Sequence, residues 1–372
     1  MKQIIDNKLL TPKDVLAVYL PTLGGGGAER VMVQLVNEFA ERGGVAHLVV
    51  CNLAGPNKSE VNGNVKVTDL GQRRVLFSFF KLCKFLRDHK PNVLLSALSH
   101  ANLVAVLAAL VTPCETRVVV SERSMPSRIH SLKFRLIIVP LMCAFYRLAD
   151  RIICVSESVA QDLVSLIGVS HTQIDVIPNP IDKNAIADAT KKPVIHRWLS
   201  DPNKKFILAV GRLVPDKDYP TLFKALDIVR REIDVGLYIL GEGDSRPELN
   251  ELISEMDLAD HVEMAGFDPN PFNWMSACDV YVLSSTSEGF CNSLLQAVAC
   301  GAPVVSTDCG SGVREILACT DSSKIVPIRS PEMLAEALIV CLKNEHIARY
   351  NPQLDQYDIK KVASAYYDVI GF

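Results

Sequence analysis

Short apolar runs alternate with longer stretches of helical periodicity along the first half of the chain. The run from Val15 to Leu20 is followed by a glycine-rich loop and then by apolar positions at helical spacing within Ala28 to Arg42. This order predicts a strand, a loop and a helix. Further apolar runs predict strands at Ala46–Cys51, Val93–Ser96, Arg117–Ser121 and Arg151–Val155.

The second half of the chain shows the same alternation. Apolar runs predict strands at Phe206–Gly211, Gly236–Leu240, His261–Ala265, Val280–Ser284 and Pro303–Thr307. Helical periodicity predicts helices at Tyr219–Arg231, Arg246–Met256, Pro271–Ala277, Asn292–Cys300 and Val313–Cys319. Strands that alternate with helices are typical of parallel, doubly wound sheets. The sequence therefore predicts an α/β fold with two Rossmann-like halves.

A boundary between the halves is indicated where the pattern stops. Val176 to Asp182 contains two prolines, and Asp188 to Asn203 is polar and interrupted by proline. We predict a first domain at residues 1–182 and a second at 183–352. The spacing of apolar residues in Gln356 to Ile370 predicts a final helix, and we expect residues 353–372 to pack back on the first domain.

Length and composition agree with two globular domains. At 372 residues the chain is too long for one ordinary hydrophobic core, and two domains imply a cleft between them. Apolar residues make up 49% and charged residues 22% of the chain. The net charge of -3 gives no reason to expect a nucleic-acid partner, because phosphate backbones are bound by a strong basic excess.

The cysteines indicate a reducing compartment. All 11 are scattered, and none forms a CxxC pair or joins histidines at zinc-ligand spacing. We therefore predict free thiols, no metal site and a cytoplasmic location. The polar segment Met1 to Thr11 lacks the apolar core of a secretory signal, and the apolar run Leu136 to Tyr146 is too short to span a bilayer.

Gly24 to Gly27 stands between the first predicted strand and its helix. Residues without a Cβ let backbone amides approach an anion at the positive end of a helix. The alternative is an ordinary flexible turn, and the loop lacks the GxGxxG spacing of a dinucleotide site.

Two cations follow the first strand of the second half. Gly211-Arg212-Leu213 ends that strand, and Lys217 comes five residues after Arg212. Because ligands of open α/β sheets bind at the carboxyl ends of strands, both side chains can converge on a diphosphate. As isolated residues they would more often be solvated surface charges.

Glu288 lies in the loop Ser287 to Phe290, which ends another predicted strand. Asn292 and Ser293 are suitable caps for the helix that follows, whose first amides are available to a phosphate or ribose. The alternative for Glu288 is an exposed loop charge.

The first half offers three more polar residues near strand ends. His100 follows the strand at Val93–Ser96, and Glu122 and Arg123 follow Arg117–Ser121. Polar residues at strand ends are candidates for ligand contacts. For His100 an ordinary loop histidine is the alternative.

Three motifs then indicate a family. GGGGAER from Gly24, GRLVPDKDYPTLFKA from Gly211 and EGFCNSLLQAVACGAPVVSTDCGSGVREI from Glu288 occur in this order across nearly the whole chain. This combination resembles the retaining family-four glycosyltransferases of the GT-B fold, of the type that builds bacterial surface polysaccharides. The resemblance implies a hexosyltransferase that works without a metal and uses a nucleotide diphosphate sugar as donor substrate, with no cofactor.

The resemblance also assigns roles. His100, Glu122 and Arg123 would bind donor sugar or acceptor. Glu288 would contact hydroxyls of the transferred sugar, Arg212 and Lys217 would stabilise the leaving diphosphate, and Gly26 and Gly27 would contact phosphate and acceptor. The family has a second Glu where this chain has Gln296, so the hydrogen bond to the ribose would lose charge assistance. The predicted donor site is completed by Gly211, Gly241, Phe267, Gly289, Phe290, Asn292, Ser293 and Leu294.

Asp216-Lys217-Asp218 matches the DxD motif that binds a metal in the other large glycosyltransferase fold. It stands at a strand-to-helix turn late in the chain, and we interpret it as loop chemistry around Lys217.

Two basic and apolar stretches lie in the first half, within Arg73 to Arg87 and within Arg123 to Arg151. Such surfaces suit anionic lipids, whereas buried helices with basic edges are the alternative. With the resemblance, they predict peripheral contact with the inner membrane leaflet. The resemblance itself implies a UDP-sugar donor and an acceptor that is a saccharide or lipid-linked saccharide. A sugar-nucleotide 2-epimerase of the same fold and a catalytically silent sugar-nucleotide-binding protein are the alternatives.

Overall fold

The computed structural model of the chain describes residues 9–24, 26–129, 131–344 and 352–372. Two compact units make up the chain. The N-terminal unit comprises Met1–Pro180 and Asp355–Phe372, and the C-terminal unit comprises Ile181–Leu354. The chain therefore passes from one unit to the other twice.

The N-terminal unit contains a parallel sheet of seven strands. Its strands are β1 Val15–Leu20, β2 Val45–Val50, β3 Lys66–Asp69, β4 Val93–Ala97, β5 Arg117–Glu122, β6 Arg151–Cys154 and β7 Ile174–Val176. Its first helices are α1 Gly27–Glu41, α2 Phe79–His89, α3 Ser99–Val111, α4 Val139–Phe145, preceded by a π-helical turn at Phe134–Ile138, and α5 Glu157–Ile167. The strands lie in the order β3–β2–β1–β4–β5–β6–β7.

The C-terminal unit contains a parallel sheet of six strands. Its strands are β8 Lys205–Val210, β9 Val235–Leu240, β10 Val262–Gly266, β11 Val280–Leu283, β12 Val304–Thr307 and β13 Ser323–Val326, in the order β10–β9–β8–β11–β12–β13. Its helices are α6 Lys183–Ala189, α7 Tyr219–Val229, α8 Arg246–Glu255, α9 Pro271–Ala277, α10 Asn292–Ala299, α11 Ser311–Leu317 and α12 Pro331–Lys343.

The predicted fold class is confirmed, because both sheets are parallel and doubly wound. All ten predicted strands are present, with ends that differ by no more than one residue. The prediction missed β3, β7 and β13, which lie at edges of the two sheets. Each is short and carries polar or exposed residues, so none forms the apolar run that a central parallel strand requires.

The last helix, α13 Ile359–Ile370, packs on α1 in the N-terminal unit. The ring of Phe39 contacts Tyr367 and Phe372 edge-on, with centroids 5.3 and 4.9 Å apart. Arg42 is buried between the two helices, where it donates to the Ser364 hydroxyl and to the carbonyl of Lys360, each at 2.8 Å. Its Nε donates to the Glu38 carboxylate at 2.9 Å, so the buried charge is paired.

Strand order determines where each sheet can bind a ligand. In the first sheet the direction of winding reverses between β1 and β4, and in the second it reverses between β8 and β11. At such a switch point the loops on either side diverge and leave a crevice at the carboxyl ends of the strands. The glycine loop follows β1, and the loops that contain Lys217 and Glu288 follow β8 and β11.

The described ranges contain no helix that is long and apolar enough to cross a membrane. All 11 cysteines lie within those ranges and are free thiols, seven of them buried and four half-buried.

Candidate functional site

Lys217 and Glu288 form an ion pair at the switch point of the second sheet. The distance from Nζ to Oε1 is 2.6 Å, and each side chain is 17% exposed. Burial by itself lowers the pKa of Lys217, but the charge of Glu288, the hydrogen bond to it and the nearby Cys291 and Tyr219 together raise this pKa above its ordinary value. The ammonium therefore remains charged at any physiological pH.

Hydrogen bonds between the two loops hold the pair in place. The Ser284 hydroxyl donates to the Lys217 carbonyl at 2.7 Å, and the Thr286 amide donates to the Asp216 carbonyl at 2.8 Å. The Glu288 amide donates to the Cys309 carbonyl in the loop after β12. Both charged residues are thus positioned through backbone atoms of neighbouring loops.

Arg212 lies in the same loop as Lys217, and its side chain is exposed. Within the described part of the chain its guanidinium has no ion-pair partner. Two of the three predicted catalytic residues are therefore in direct contact, and the third is on the same loop.

Glycine is required where the loops after β8 and β9 meet. Gly241 has φ of 153°, and a Cβ there would lie 1.8 Å from the carbonyl oxygen of Gly211. That carbonyl also accepts a hydrogen bond from the Tyr219 hydroxyl at 3.1 Å. Glycine at position 241 thus allows its loop to approach the Gly211 carbonyl closely. This contact fixes the position of Gly211, the residue that precedes Arg212.

The start of α10 differs from the prediction. Cys291 occupies the N-cap position, so Asn292 and Ser293 are the first two helical residues and not the caps. The Ser293 hydroxyl instead accepts a hydrogen bond from Tyr281 at 2.8 Å. A residue inside the first turn has helical backbone. It cannot adopt the extended backbone from which the side chain of an N-cap residue reaches the amides of the first turn, so the predicted capping role is wrong.

The remaining predicted donor-site residues fall into two groups. Phe290 and Leu294 are buried and Gly289 has no side chain, so these three offer backbone atoms only. Gln296 is half-buried in α10, and Phe267 is exposed directly after β10. Both side chains are thus accessible on the C-terminal unit.

The glycine loop of the N-terminal unit lies at the start of α1. Gly26 is the N-cap and Gly27 the first helical residue, while Gly25 lies outside the described residues. The side chain of Asn57 donates to the Gly24 carbonyl, which ties the loop to the segment after β2. The helix amides here are directed at the carboxyl edge of the first sheet.

His100 is helical and not a loop residue, contrary to the alternative considered above. It is the second residue of α3, which begins immediately after β4 because Leu98 turns the chain with φ of 77°. The side chain is exposed in the first turn, beside the switch point of the first sheet.

Glu122 is 1% exposed at the end of β5. Its carboxylate accepts hydrogen bonds from the hydroxyls of Tyr146 at 2.9 Å and Ser99 at 3.1 Å, and also from the Arg123 amide and the Ser124 hydroxyl. Burial raises the pKa of Glu122 to about 7 despite these donors. Contact between this carboxylate and a ligand would require the hydrogen bonds to open.

Arg123 is likewise bound within the N-terminal unit. Its guanidinium donates to Asn179 at 2.5 Å and to the Tyr366 hydroxyl at 3.0 Å. It therefore joins the end of β5 to the segment that leaves the unit and to α13.

The DxD match, Asp216-Lys217-Asp218, takes part in the structure of the loop after β8. Asp218 adopts left-handed backbone with φ of 47° and accepts a hydrogen bond from the Thr221 hydroxyl at 2.8 Å. Within the described residues no group of three or more His, Cys, Asp or Glu side chains is arranged to hold a metal ion.

Sequence reasoning missed Ser285 and Tyr146. Ser285 donates to Glu288 at 2.8 Å, and Tyr146 donates to Glu122. The polar run Ser284 to Ser287 directly after an apolar strand was a usable signal for the first. Tyr146 gave none, because it stands at the end of an apolar run like any core residue.

Comparison with known proteins decides the family. Residues 25–185 match the model for Glycosyltransferase Family 4, and residues 191–360 match the model for Glycosyl transferases group 1. The chain belongs to the family-four glycosyltransferases. The predicted family resemblance is thereby confirmed.

Two relatives of this glycosyltransferase cover most of its length. A Campylobacter jejuni protein is 29% identical over 90% of this chain and 92% of its own, and is named N-acetylgalactosamine-N,N'-diacetylbacillosaminyl-diphospho-undecaprenol 4-alpha-N-acetylgalactosaminyltransferase. The lipopolysaccharide core biosynthesis glycosyltransferase LpsE of Rhizobium meliloti is 28% identical over 76% of each chain.

The fold of this glycosyltransferase is also found among solved structures. Anabaena HepE, crystallised with UDP and glucose, matches 95% of this chain and 98% of its own with a TM-score of 0.79 at 20% identity. The match supports the GT-B fold.

The buried carboxylate of Glu122 predicts a stability that depends on pH. The folded state keeps the proton up to about pH 7, whereas the unfolded state releases it near the ordinary value of 4.5. Between these values the folded state binds more protons, so rising pH favours unfolding. We expect wild type to lose roughly 3 kcal/mol of unfolding free energy relative to Glu122→Gln between pH 4 and pH 8, as measured by urea denaturation.

The exposed carboxylate Glu115, just before β5, supplies the control. Glu115→Gln is measured over the same pH range beside Glu122→Gln. Parallel pH profiles for wild type and Glu122→Gln would contradict the assigned protonation.

Proposed function

We propose that the protein is a retaining hexosyltransferase of surface-polysaccharide or glycan assembly. It moves a hexose or N-acetylhexosamine from a UDP-linked donor to a glycan or a polyprenyl-diphosphate-linked saccharide. The observation that carries the proposal is the Lys217–Glu288 pair at the switch point of the second sheet. The named substrate of the Campylobacter relative and the UDP and glucose bound to HepE support the classes of acceptor and donor.

The proposed chemistry needs charge stabilisation more than acid or base groups. The bond between the anomeric carbon and the diphosphate oxygen breaks, and the acceptor oxygen bonds to that carbon on the same face. The acceptor proton passes to an oxygen of the departing diphosphate. Lys217 and Arg212 stabilise the negative charge that develops there, and Glu288 orients hydroxyls of the sugar.

The other predicted residues complete the proposal. Gln296 hydrogen-bonds the ribose, and the exposed ring of Phe267 adds an apolar surface at the donor site. Gly26, Gly27 and His100 bind phosphate and acceptor from the first switch point. The reaction proceeds without a metal.

Removal of either member of the ion pair should abolish most activity. We expect Lys217→Ala and Glu288→Ala to lower turnover by about 10²- to 10³-fold, because each removes a preorganised group at the reacting centre. The assay measures transfer of radiolabelled sugar from UDP-sugars to a panel of saccharide and polyprenyl-diphosphate saccharide acceptors, with EDTA present and with the anomeric configuration of the product determined by NMR.

The exposed residues Lys224 and Glu248 provide matched controls, and their alanine variants should retain wild-type turnover. Near-normal rates in both ion-pair variants would remove the site assignment. Conversion of the UDP-sugar without any acceptor would indicate an epimerase, and donor binding with no turnover would indicate a silent binding protein.

Restoring the family's acid should strengthen donor binding. Gln296→Glu should lower the dissociation constant for UDP about fivefold and leave turnover within a factor of about 2, because a charged acceptor strengthens the hydrogen bond to the ribose. Titration calorimetry with UDP measures the effect. Collapse of activity in this variant would contradict the ribose contact.

We further propose that the N-terminal unit binds the cytoplasmic face of the inner membrane, where a lipid-linked acceptor resides. Two clusters of exposed apolar side chains support this membrane contact. Phe80 at the start of α2 is 81% exposed, with Leu76 and Phe77 nearby, and Leu132 and Leu136 before α4 are 70% and 67% exposed. Exposed aliphatic and aromatic side chains of this number mark an interaction surface.

The two clusters share one side of the unit. Both α2 and α4 pack on α3, and the connecting helices of a parallel sheet begin at its carboxyl edge. The two clusters therefore lie on either side of α3 toward the edge that carries His100. No acidic residue occurs in residues 71–87 or 124–149, whereas these segments include exposed Arg73, Arg74, Lys81, Lys133 and Arg135. This charge complements anionic lipid.

The double variant Phe80→Ser, Leu136→Ser should bind phosphatidylglycerol vesicles at least about tenfold more weakly than wild type, because each buried apolar side chain contributes about 1.5–3 kcal/mol. Co-sedimentation measures the binding. Leu110→Ser is the control, since Leu110 is exposed at the other end of α3. Equal binding by wild type and the double variant would contradict the proposed surface.

A further inference from the structure

One oxygen of Glu288 receives two hydrogen bonds. Oε1 accepts from Lys217 Nζ at 2.6 Å and from the Ser285 hydroxyl at 2.8 Å. Among the described residues, no side chain donates to the other oxygen, Oε2. The carboxylate is thus held on one side and open on the other.

The two donors differ in mobility. The lysine ammonium is carried on a flexible four-carbon stem. Ser285 has a short side chain, is fully buried, and its carbonyl accepts a hydrogen bond from the Thr307 hydroxyl at 2.5 Å. A diphosphate at the switch point would compete with Glu288 for the ammonium, but it could not draw the serine hydroxyl away.

We propose that Ser285 is a positioning residue that keeps the Glu288 carboxylate in place when Lys217 turns to the diphosphate, so that Oε2 faces the hydroxyls of the sugar. This inference rests on the proposed function of the site. The resting ion pair neutralises both charges while the site is empty, and the serine preserves the geometry of the acid after the lysine has left. Without Ser285 the carboxylate would rotate freely at the moment when its orientation matters.

The kinetic test compares Ser285→Ala with wild type. We expect kcat to fall about tenfold while KM for the donor stays within about twofold, because orientation of Glu288 acts on the transition state. In a Glu288→Ala background, Ser285→Ala should cause no further loss, since no carboxylate remains to be positioned. Ser306→Ala is the control, because Ser306 is equally buried and its hydroxyl donates only to the neighbouring Thr307 carbonyl.

A merely structural role for Ser285 would lower kcat in both backgrounds by the same factor, and this result would overturn the proposal. A wild-type kcat for Ser285→Ala would do the same. If Lys217→Ala and Glu288→Ala also retain wild-type rates, the proposed function of the site fails as a whole. If those two are impaired and Ser285→Ala is not, the positioning role alone fails.

A crystallographic test is independent of substrate and of the folding of the serine variant. In the crystal structure of Lys217→Ala, the Glu288 carboxylate should remain within hydrogen-bond distance of the Ser285 hydroxyl. A carboxylate that has rotated away from Ser285 in that variant would overturn the proposal.

Discussion

The charge pair of Lys217 and Glu288 is the interaction on which the C-terminal site depends. Two opposite charges with little exposure are stable only when they remain together and when hydrogen bonds fix their geometry. Here the geometry comes from strand order, since the two residues follow β8 and β11, which are neighbours in the sheet but far apart in sequence. Any change that shifts these two strands relative to each other would leave two mostly buried charges without an opposite charge beside them.

Central strands and the position of the site were predictable because they follow from strong local signals. A parallel strand buried on both faces must be a continuous apolar run, as β4 and β8 are, and the loops beyond such strands carry the polar chemistry. Edge strands such as β13 lacked that signal because one side of them is solvated. The position of Lys217 and Glu288 at strand ends was expected, whereas their direct contact and its support by Ser284 and Ser285 depend on loop conformations that no periodicity encodes.

Buried polar residues were the least predictable class. Glu122 and Arg123 are predicted ligand contacts because charged residues follow a strand, but their hydrogen bonds to Tyr146, Asn179 and Tyr366 could not be read from the sequence. These partners lie in elements far away in sequence, so only the folded chain reveals them. The predicted caps of α10 were wrong as well. Two adjacent residues that can both act as caps do not by themselves show where the helix begins.

The discontinuity of the N-terminal unit affects how the chain is made. One side of α1 packs on β1 and β2, but the part of Phe39 that contacts Tyr367 and Phe372 stays uncovered until α13 has been synthesised, after the whole C-terminal unit. A nascent chain that stops at residue 180 therefore exposes this apolar part of α1, and premature termination yields a fragment prone to aggregation. Completion of the N-terminal unit therefore depends on residues that are synthesised after the C-terminal unit.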